Sequence, residues 1–275
     1  MDIKLISFDL DGTFLDDDKG IPPENLRALE QAAARGVWIV PATGRIVAGL
    51  PEVLRTLPFM RYYITANGSY VYDALEDRAV ARAEIPLKRA LEFFEYADKL
   101  DALYDCYQDN WGYMTEWMYH EALRVIPNAG VRELIVLLRT PVPELKAYLT
   151  EKGRDLQKMQ LFFTDMDLRR RQIAELPARF PDLAFSTSMP FNIEINAKSA
   201  TKGNALRALC RHLGLDAKQS MALGDGTNDS DMLAAAGVGV AMSNADEQVK
   251  AVADYVTGSN NEAGFARAVE KFALN

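Results

Sequence analysis

The sequence predicts an α/β protein: a doubly wound parallel sheet into which a second, α+β domain is inserted. Three features of the chain lead to this reading. Short, mainly apolar runs at Leu5–Phe8, Val37–Val40, Ser220–Leu223 and Val238–Ala241 are separated by helix-period stretches, the pattern of strands buried on both faces of a parallel sheet. Three of these runs stop abruptly in polar, glycine-bearing turns, and the carboxyl edge of an open α/β sheet is where ligands bind. Residues 82–188 form a block of alternating strands and helices with no comparable turn inside it, long enough for a small domain.

Composition narrows the function classes. The chain has 275 residues, 49% hydrophobic and 25% charged, ordinary for a globular protein of one large domain or two modest ones. A net charge of −8 argues against a nucleic-acid partner. No run approaches the ~18 apolar residues of a membrane span. The N-terminus enters a strand directly, so no signal peptide is expected and the expected location is cytoplasmic, as a monomer or weak homo-oligomer. Cys106 and Cys210 are isolated and read as reduced structural thiols. The sequons at Asn67-Gly68-Ser69 and Asn228-Asp229-Ser230 are then chance matches.

The first strand ends at Asp9-Leu10-Asp11-Gly12-Thr13. Two carboxylates one residue apart repel unless a positive charge neutralises them. Mg²⁺ suits such a place, being a hard cation that takes one or two carboxylates plus substrate phosphate. An acidic turn that merely uses Asp11 and Gly12 for its geometry is the plainer alternative. Pro22-Pro23-Glu24 then starts a helix, with Leu26, Leu29 and Ala33 on its apolar stripe and Gly36 closing it. Val37–Val40 runs into Pro41-Ala42-Thr43-Gly44-Arg45, where a hydroxyl and backbone amides meet an anion or, more plainly, Thr43 caps a helix. A helix to about Leu57, a strand at Tyr62–Thr65, a turn at Asn67-Gly68 into Tyr70–Tyr72, and Ala79–Glu84 returning across a turn at Glu76-Asp77 follow; Asn67 either makes only its turn or also touches substrate.

Within 82–188, Pro86–Leu100 is amphipathic, Ala102–Tyr107 and Trp111–Thr115 form a hairpin, and Glu133–Arg139 is read as a strand. Helices at Pro143–Lys152 and Asp167–Arg179 alternate with strands at Gln157–Phe163 and Leu183–Thr187. Trp111, Tyr113, Trp117, Tyr119 and His120 are read as core rather than as a specificity surface, and Arg169-Arg170-Arg171 as a solvated helix face. Neither His120 nor His212 sits in the basic motif that a histidine-nucleophile phosphatase needs.

Asn192–Ile195 is read as the return to the first domain. Lys202-Gly203 then opens a helix, where a lysine is unfavourable for the helix dipole unless an anion sits beside it. Lys198 is the competing lysine. Ser220–Leu223 ends in Gly224-Asp225-Gly226-Thr227-Asn228-Asp229-Ser230-Asp231. A dinucleotide loop is rejected because the third glycine is missing and the acids would repel pyrophosphate, and an EF-hand because the spacing of acids is wrong. Val238–Ala241 and helices at Ala245–Ala253 and Ala263–Phe272 complete the chain.

The four turns, in this order, resemble the four motifs of the haloacid-dehalogenase-like (HAD) superfamily: DLDGT, the ATGR form of the second motif, the lysine at a helix start, and GDGTND. ATGR and the long insertion are similar to the Cof-like subfamily of sugar-phosphate phosphatases. The resemblance implies a Rossmann-like core over residues 1–81 and 189–275 with an inserted cap over 82–188. It implies an Mg²⁺-dependent phosphatase of small phosphorylated metabolites, working through an aspartyl-phosphate. Asp9 is then the nucleophile, Asp11 the general acid and base, and Thr43 and Lys202 hold the phosphate. Gly44, Arg45, Asn67 and Asn228 join them in binding substrate. Asp9, Asp11 (through its backbone carbonyl) and Asp225 would take the metal, with Asp229 holding the lysine and the metal's waters. The second aspartate sets this pattern apart from dehalogenase relatives, which lack it, and from transport ATPases, which carry Lys there. A phosphomutase and a non-catalytic binding protein on the same scaffold are the other readings of the same motifs.

Overall fold

The computed structural model describes residues 2–275. By its contacts the chain divides into two compact units. One runs to Gly44 and resumes over Pro51–Arg82 and Thr201–Asn275; the other comprises Arg45–Leu50 and Ala83–Ala200.

In chain order the first unit begins with β1 (Leu5–Phe8), α1 (Pro23–Ala34) and β2 (Trp38–Pro41). The short α2 (Glu52–Thr56) precedes β3 (Tyr62–Thr65), β4 (Tyr70–Asp73) and β5 (Arg78–Arg82). The second unit opens with α3 (Leu87–Ala97), β6 (Leu103–Gln108), β7 (Trp111–Thr115), α4 (Glu116–Val125) and α5 (Ala129–Leu138). It continues with β8 (Arg139–Val142), α6 (Leu145–Lys152), β9 (Lys158–Phe162), α7 (Met166–Arg179), β10 (Leu183–Ser186) and β11 (Asn192–Ala197). The first unit is completed by α8 (Lys202–His212), β12 (Ser220–Gly224), α9 (Ser230–Ala235), β13 (Val238–Ala241), α10 (Glu247–Lys250), β14 (Tyr255–Val256) and α11 (Gly264–Val269).

The first unit is built on five parallel strands in the order β14-β13-β12-β1-β2. Leu5 on one face of β1 packs with Val40 and with Leu206 and Leu209 of α8. Phe8 on the other face meets Phe14 and Phe265 of α11, ring centroids 5.0 and 5.1 Å away. Helices on both faces explain why every residue of β1 is buried and why the strand reads as an apolar run. Burying each such large side chain favours folding by about 1.5–3 kcal/mol. Ser7, the one polar residue in the strand, donates to Met232 Sδ at 3.3 Å. Beyond Pro41 the chain keeps its direction: Ala42 bridges Ile64 of β3, and the Thr43 N–H donates to Ile64 O at 2.9 Å. That bridge joins the antiparallel β3-β4-β5 sheet to β2.

The second unit has a six-stranded sheet, β10-β11-β9-β6-β7-β8, antiparallel except for the β7–β8 pair. Phe93, Phe94, Leu149 and Leu176 from its helices pack with Cys106, Met159, Leu161 and Ile193 of its strands. The intervening strand positions carry buried ion pairs: Arg139 Nε to Asp105 Oδ2 at 2.6 Å, and Lys158 Nζ to Glu194 Oε1 at 3.0 Å.

Several sequence expectations are corrected here. Asn192–Ala197 does not return to the first unit; it pairs with both β9 and β10, so the second unit extends to Ala200 rather than to 188. A polar–apolar alternation records only that one strand face is covered, not which sheet covers it. Glu133–Arg139 is not a strand: residues up to Leu138 belong to α5, which Asn128 caps by accepting from Val131 N–H at 3.0 Å. Its consecutive apolar residues misled because only Ile135 and Leu138 are buried, while Leu134, Val136 and Leu137 are exposed. Two extents also shrink: the helix expected to reach Leu57 is broken by Pro51, leaving α2, and that over Ala245–Ala253 reduces to α10. In the aromatic cluster, Tyr113 and Tyr119 do pack on the second unit's core, but Trp117 is 58% exposed. Arg169, read as solvated, donates to Asn192 O at 3.0 Å. Both cysteines are free and buried. Among the described residues no helix is long and apolar enough to cross a membrane.

Candidate active site

At the carboxyl edge of the parallel sheet, β1 delivers Asp9 and β12 delivers Asp225, because the two strands are hydrogen-bonded neighbours in register (Phe8 opposite Leu223). The turn after β12 brings up Asp229. The three side chains place carboxylate oxygens within 4.8 Å of one another. Between them lies Lys202, the first residue of α8, with its ammonium 2.6 Å from Asp9 Oδ1 and 2.6 Å from Asp229 Oδ1. Lys202 is buried, 1% exposed. A buried lysine at a helix start is tolerated because two carboxylates hold it. Lys198, the competing lysine, lies in the second unit and donates to Pro181 O.

Each carboxylate is further fixed by its surroundings. Asp229 Oδ2 accepts from the N–H groups of Asp225 and Gly226, at 3.1 and 2.9 Å. Both oxygens of Asp229 are therefore engaged, one by Lys202 and one by the turn. Asp225 Oδ1 accepts from Thr13 Oγ1 at 2.6 Å. Gly12, directly after Asp11, has φ +80, and a side chain there would collide with Asp225 Oδ2, so the tight turn and the close approach both demand glycine. The Gly12 carbonyl accepts from Asn244 Nδ2 at 2.9 Å. Sequence reasoning gave no role to Thr13 or Asn244. Thr13 stood inside the first motif, but nothing in the chain marked Asn244 as a neighbour of Gly12.

The charge balance is three carboxylates against one ammonium. Burial pushes the Asp9 carboxyl up from its ordinary value, and the Lys202 ammonium opposes that only in part. Asp225 is pushed up to about 6, chiefly by burial, against the hydrogen bond from Thr13 and with the Asp229 charge adding to the rise. Burial would lower Lys202, but the Asp229 and Asp9 carboxylates outweigh it and hold the lysine above its usual range. The cluster thus carries more negative charge than its own cation neutralises. A hard divalent cation fits this donor set. With Asp9 Oδ1 on Lys202, Asp225 Oδ1 on Thr13 and Asp229 fully engaged, the carboxylate oxygens left to face it are Asp9 Oδ2 and Asp225 Oδ2.

The other expected residues separate into two groups. Thr43, Gly44, Asn67 and Asn228 come together: Asn67 N–H donates to Thr43 O at 3.0 Å, and Asn228 Nδ2 to Asn67 Oδ1 at 3.3 Å. A side chain on Gly44 would come within 2.9 Å of Asn67 Oδ1. Asn67 and its neighbour Ala66 both take left-handed backbone, φ 60 and 49. Gly68 follows at φ +97, and a Cβ there would strike the Thr201 carbonyl. The turn therefore lies against the start of α8, and Asn67 is more than a hairpin residue. Arg45 groups with the second unit, where its guanidinium donates to Gly49 O at 3.0 Å. The Asp11 carboxylate stands outside the three-carboxylate cluster and pairs with Lys19 Nζ at 2.9 Å.

Comparison with known proteins identifies the family. Residues 6–269 match the family model of haloacid dehalogenase-like hydrolases. The chain is 32% identical to 5-amino-6-(5-phospho-D-ribitylamino)uracil phosphatase of Bacillus subtilis, over 100% of this chain and 97% of that one. It is 34% identical to HMP-PP phosphatase of Serratia proteamaculans, over 90% of this chain and 87% of that one. Among solved structures it is similar to a HAD subclass IIB sugar phosphatase, with a TM-score of 0.80 and 26% identity over 99% of this chain and 100% of the other.

Proposed function

We propose, on the premise that this chain belongs to the haloacid dehalogenase-like hydrolases and is a phosphatase among them, that it hydrolyses small phosphorylated metabolites, sugar phosphates first, with Mg²⁺ and through an aspartyl-phosphate on Asp9. The observation that carries the reading is the Lys202 ammonium held between Asp9 and Asp229 at a sheet edge that also presents Asp225. The named relatives act on a phosphoribityl compound, HMP-PP and a sugar phosphate, so small phosphorylated molecules are their common ground.

In this reading Asp9, Asp225 and the Asp11 carbonyl would hold Mg²⁺, which would supply the positive charge that lets an anionic phosphate approach a carboxylate. Lys202 orients the Asp9 carboxylate, one oxygen of which attacks phosphorus and expels the leaving alkoxide. Asp11 delivers a proton to that alkoxide and afterwards takes one from water, which then attacks the aspartyl-phosphate. Asp9 is regenerated and phosphate departs. Thr43, Lys202 and Asn228 hold the phosphoryl oxygens, Gly44 adds its backbone amide, and Asn67 braces Asn228. Positioning and charge stabilisation do most of the work, as in phosphoryl transfer generally.

A phosphate-release screen across phosphorylated sugars, nucleotides and cofactors tests the reading. Free phosphate should appear with excess substrate, be lost in chelator and return with Mg²⁺. Conversion of a sugar phosphate to its isomer without free phosphate points to a mutase; no turnover on the whole panel contradicts the proposal.

The same cation should stabilise the protein in a pH-dependent way. Asp225 has its pKa raised on folding, from 3.8 to about 6. A carboxyl raised on folding costs stability once pH exceeds its unfolded pKa, and the full cost is present above the folded one. Mg²⁺ relieves that cost by binding the ionised form. The rise in melting temperature on adding Mg²⁺ should therefore be larger at pH 8 than at pH 5. An equal rise at both, or none, contradicts this account of the acidic cluster.

A further inference from the structure

Lys19 stands one short loop beyond the first motif, and the chain goes to some length to hold it. Its backbone is left-handed, φ 66, a conformation uncommon for a side chain without a local polar group. The loop is pinned from within: Lys19 N–H donates to Asp16 O at 3.0 Å, Asp16 N–H to Gly20 O at 3.0 Å, and Gly20 N–H to Asp16 Oδ1 at 2.7 Å. It is also clasped from the far end of the chain. Asn260 Nδ2 donates to Leu15 O and Asp17 Oδ1, both at 3.0 Å. Asn261 Nδ2 donates to Asp17 Oδ2 at 2.8 Å, and Asp17 N–H returns a bond to Asn261 Oδ1 at 3.1 Å. Asn244, which holds the Gly12 carbonyl, also accepts from Asn260 N–H at 3.1 Å. Three asparagines from residues 244–261 thus tie both ends of the Gly12–Asp17 stretch to one frame. The product of this bracing is an ammonium placed 2.9 Å from Asp11 Oδ1.

From this geometry we infer that Lys19 is a positioning residue for Asp11, holding its carboxylate away from the Asp9–Asp225–Asp229 cluster and on the side of the leaving group. The inference rests on the proposed role of Asp11. Its physical basis is competition. A divalent cation held by the cluster would attract any neighbouring carboxylate, and a carboxylate drawn onto a metal no longer transfers protons to a leaving group. Lys19 supplies the opposing attraction. The pair is half-exposed on both sides, 59% and 39%, and exposed pairs contribute little to stability. Stability is therefore a poor reason for so much bracing, and its removal is not expected to unfold the protein.

The test is Lys19→Met beside Lys19→Arg, with Mg²⁺ binding followed by calorimetry in the absence of substrate and kcat followed on an alkyl and an aryl phosphate at saturating Mg²⁺. Lys19→Met should lower kcat on the alkyl phosphate at least about tenfold while leaving the aryl phosphate within about twofold, since only the poor leaving group needs the proton. It should also bind Mg²⁺ more tightly, because the released Asp11 joins the cation site. Lys19→Arg should restore both. Equal changes on the two substrates, or unaltered Mg²⁺ affinity, overturn the inference. If the wild-type protein releases phosphate from no substrate, the proposed function fails, yet the calorimetric comparison still decides what Lys19 does to Asp11.

Discussion

Asp9→Asn should abolish turnover without destabilising the fold. The substitution keeps the shape of the side chain and removes the proposed nucleophile, so the proposed phosphoenzyme cannot form. Losing a covalent nucleophile costs on the order of 10⁴–10⁶-fold in kcat, which brings this protein to assay background. The stability expectation follows from burial. Asp9 is 8% exposed, and its carboxyl is raised by that burial even with Lys202 in contact. An ionised Asp9 is thus held at a cost in the metal-free protein, and Lys202 keeps Asp229 when Asp9 becomes neutral. The melting temperature of Asp9→Asn at pH 7.5 in chelator should equal or exceed that of wild type. A clear drop would show that Asp9 is chiefly a structural ion-pair partner.

Lys202→Met should do the reverse and damage both. Removing the ammonium strands Asp9 and Asp229, both buried, in a cluster that Asp225 already makes negative. Breaking a buried pair by deleting one partner costs about 3–5 kcal/mol, because an uncompensated charge remains. The penalty depends on pH with a definite sign. The stranded carboxylates can escape it by taking up protons, which is easier in acid, so the loss should be larger at pH 8 than at pH 5. Activity should fall by several orders of magnitude at either pH, since the phosphate and Asp9 lose their shared cation. Urea unfolding of both proteins at the two pH values checks this. A pH-independent loss of stability would mean that packing of the lysine stem, not its charge, holds the start of α8.

Legibility in the sequence followed sequence distance and chemistry. Asp9, Asp225, Asp229 and Lys202 stood at the ends of apolar runs or the start of a helix; the parallel registry of β1 with β12 brings Asp9 and Asp225 together, and the turn after β12 and the start of α8 add Asp229 and Lys202. β13, Val238–Ala241, was readable to the residue because both of its faces are covered. Contacts that join distant loops left no such trace. Asn244 and Asn260 lie in polar turns that look like any other, and their partners are some 230 or more residues away in the chain. Asp11 was readable as an acid beside the site, but its ion pair with Lys19 depends on a left-handed backbone that no pattern announces. The second unit was the least readable part. Its strand–helix alternation was plain, but α5 carries the apolar run of a strand with three of those side chains exposed, and β11 carries an alternation that either sheet could have covered.

The central claim is that Asp9 becomes phosphorylated, and the most direct test traps that species. In Asp11→Asn the nucleophile remains while the proton carrier is lost. An aryl phosphate, whose leaving group needs no proton, should still phosphorylate Asp9 at saturating Mg²⁺. Hydrolysis of the adduct should stall because water lacks its base, a loss of about 10²–10⁴-fold. Mass spectrometry of acid-quenched Asp11→Asn protein should then find one phosphoryl group on the peptide containing Asp9, absent from the Asp9→Asn/Asp11→Asn double variant. Phosphate released at the wild-type rate with no adduct, or an adduct on any other residue, would contradict the account.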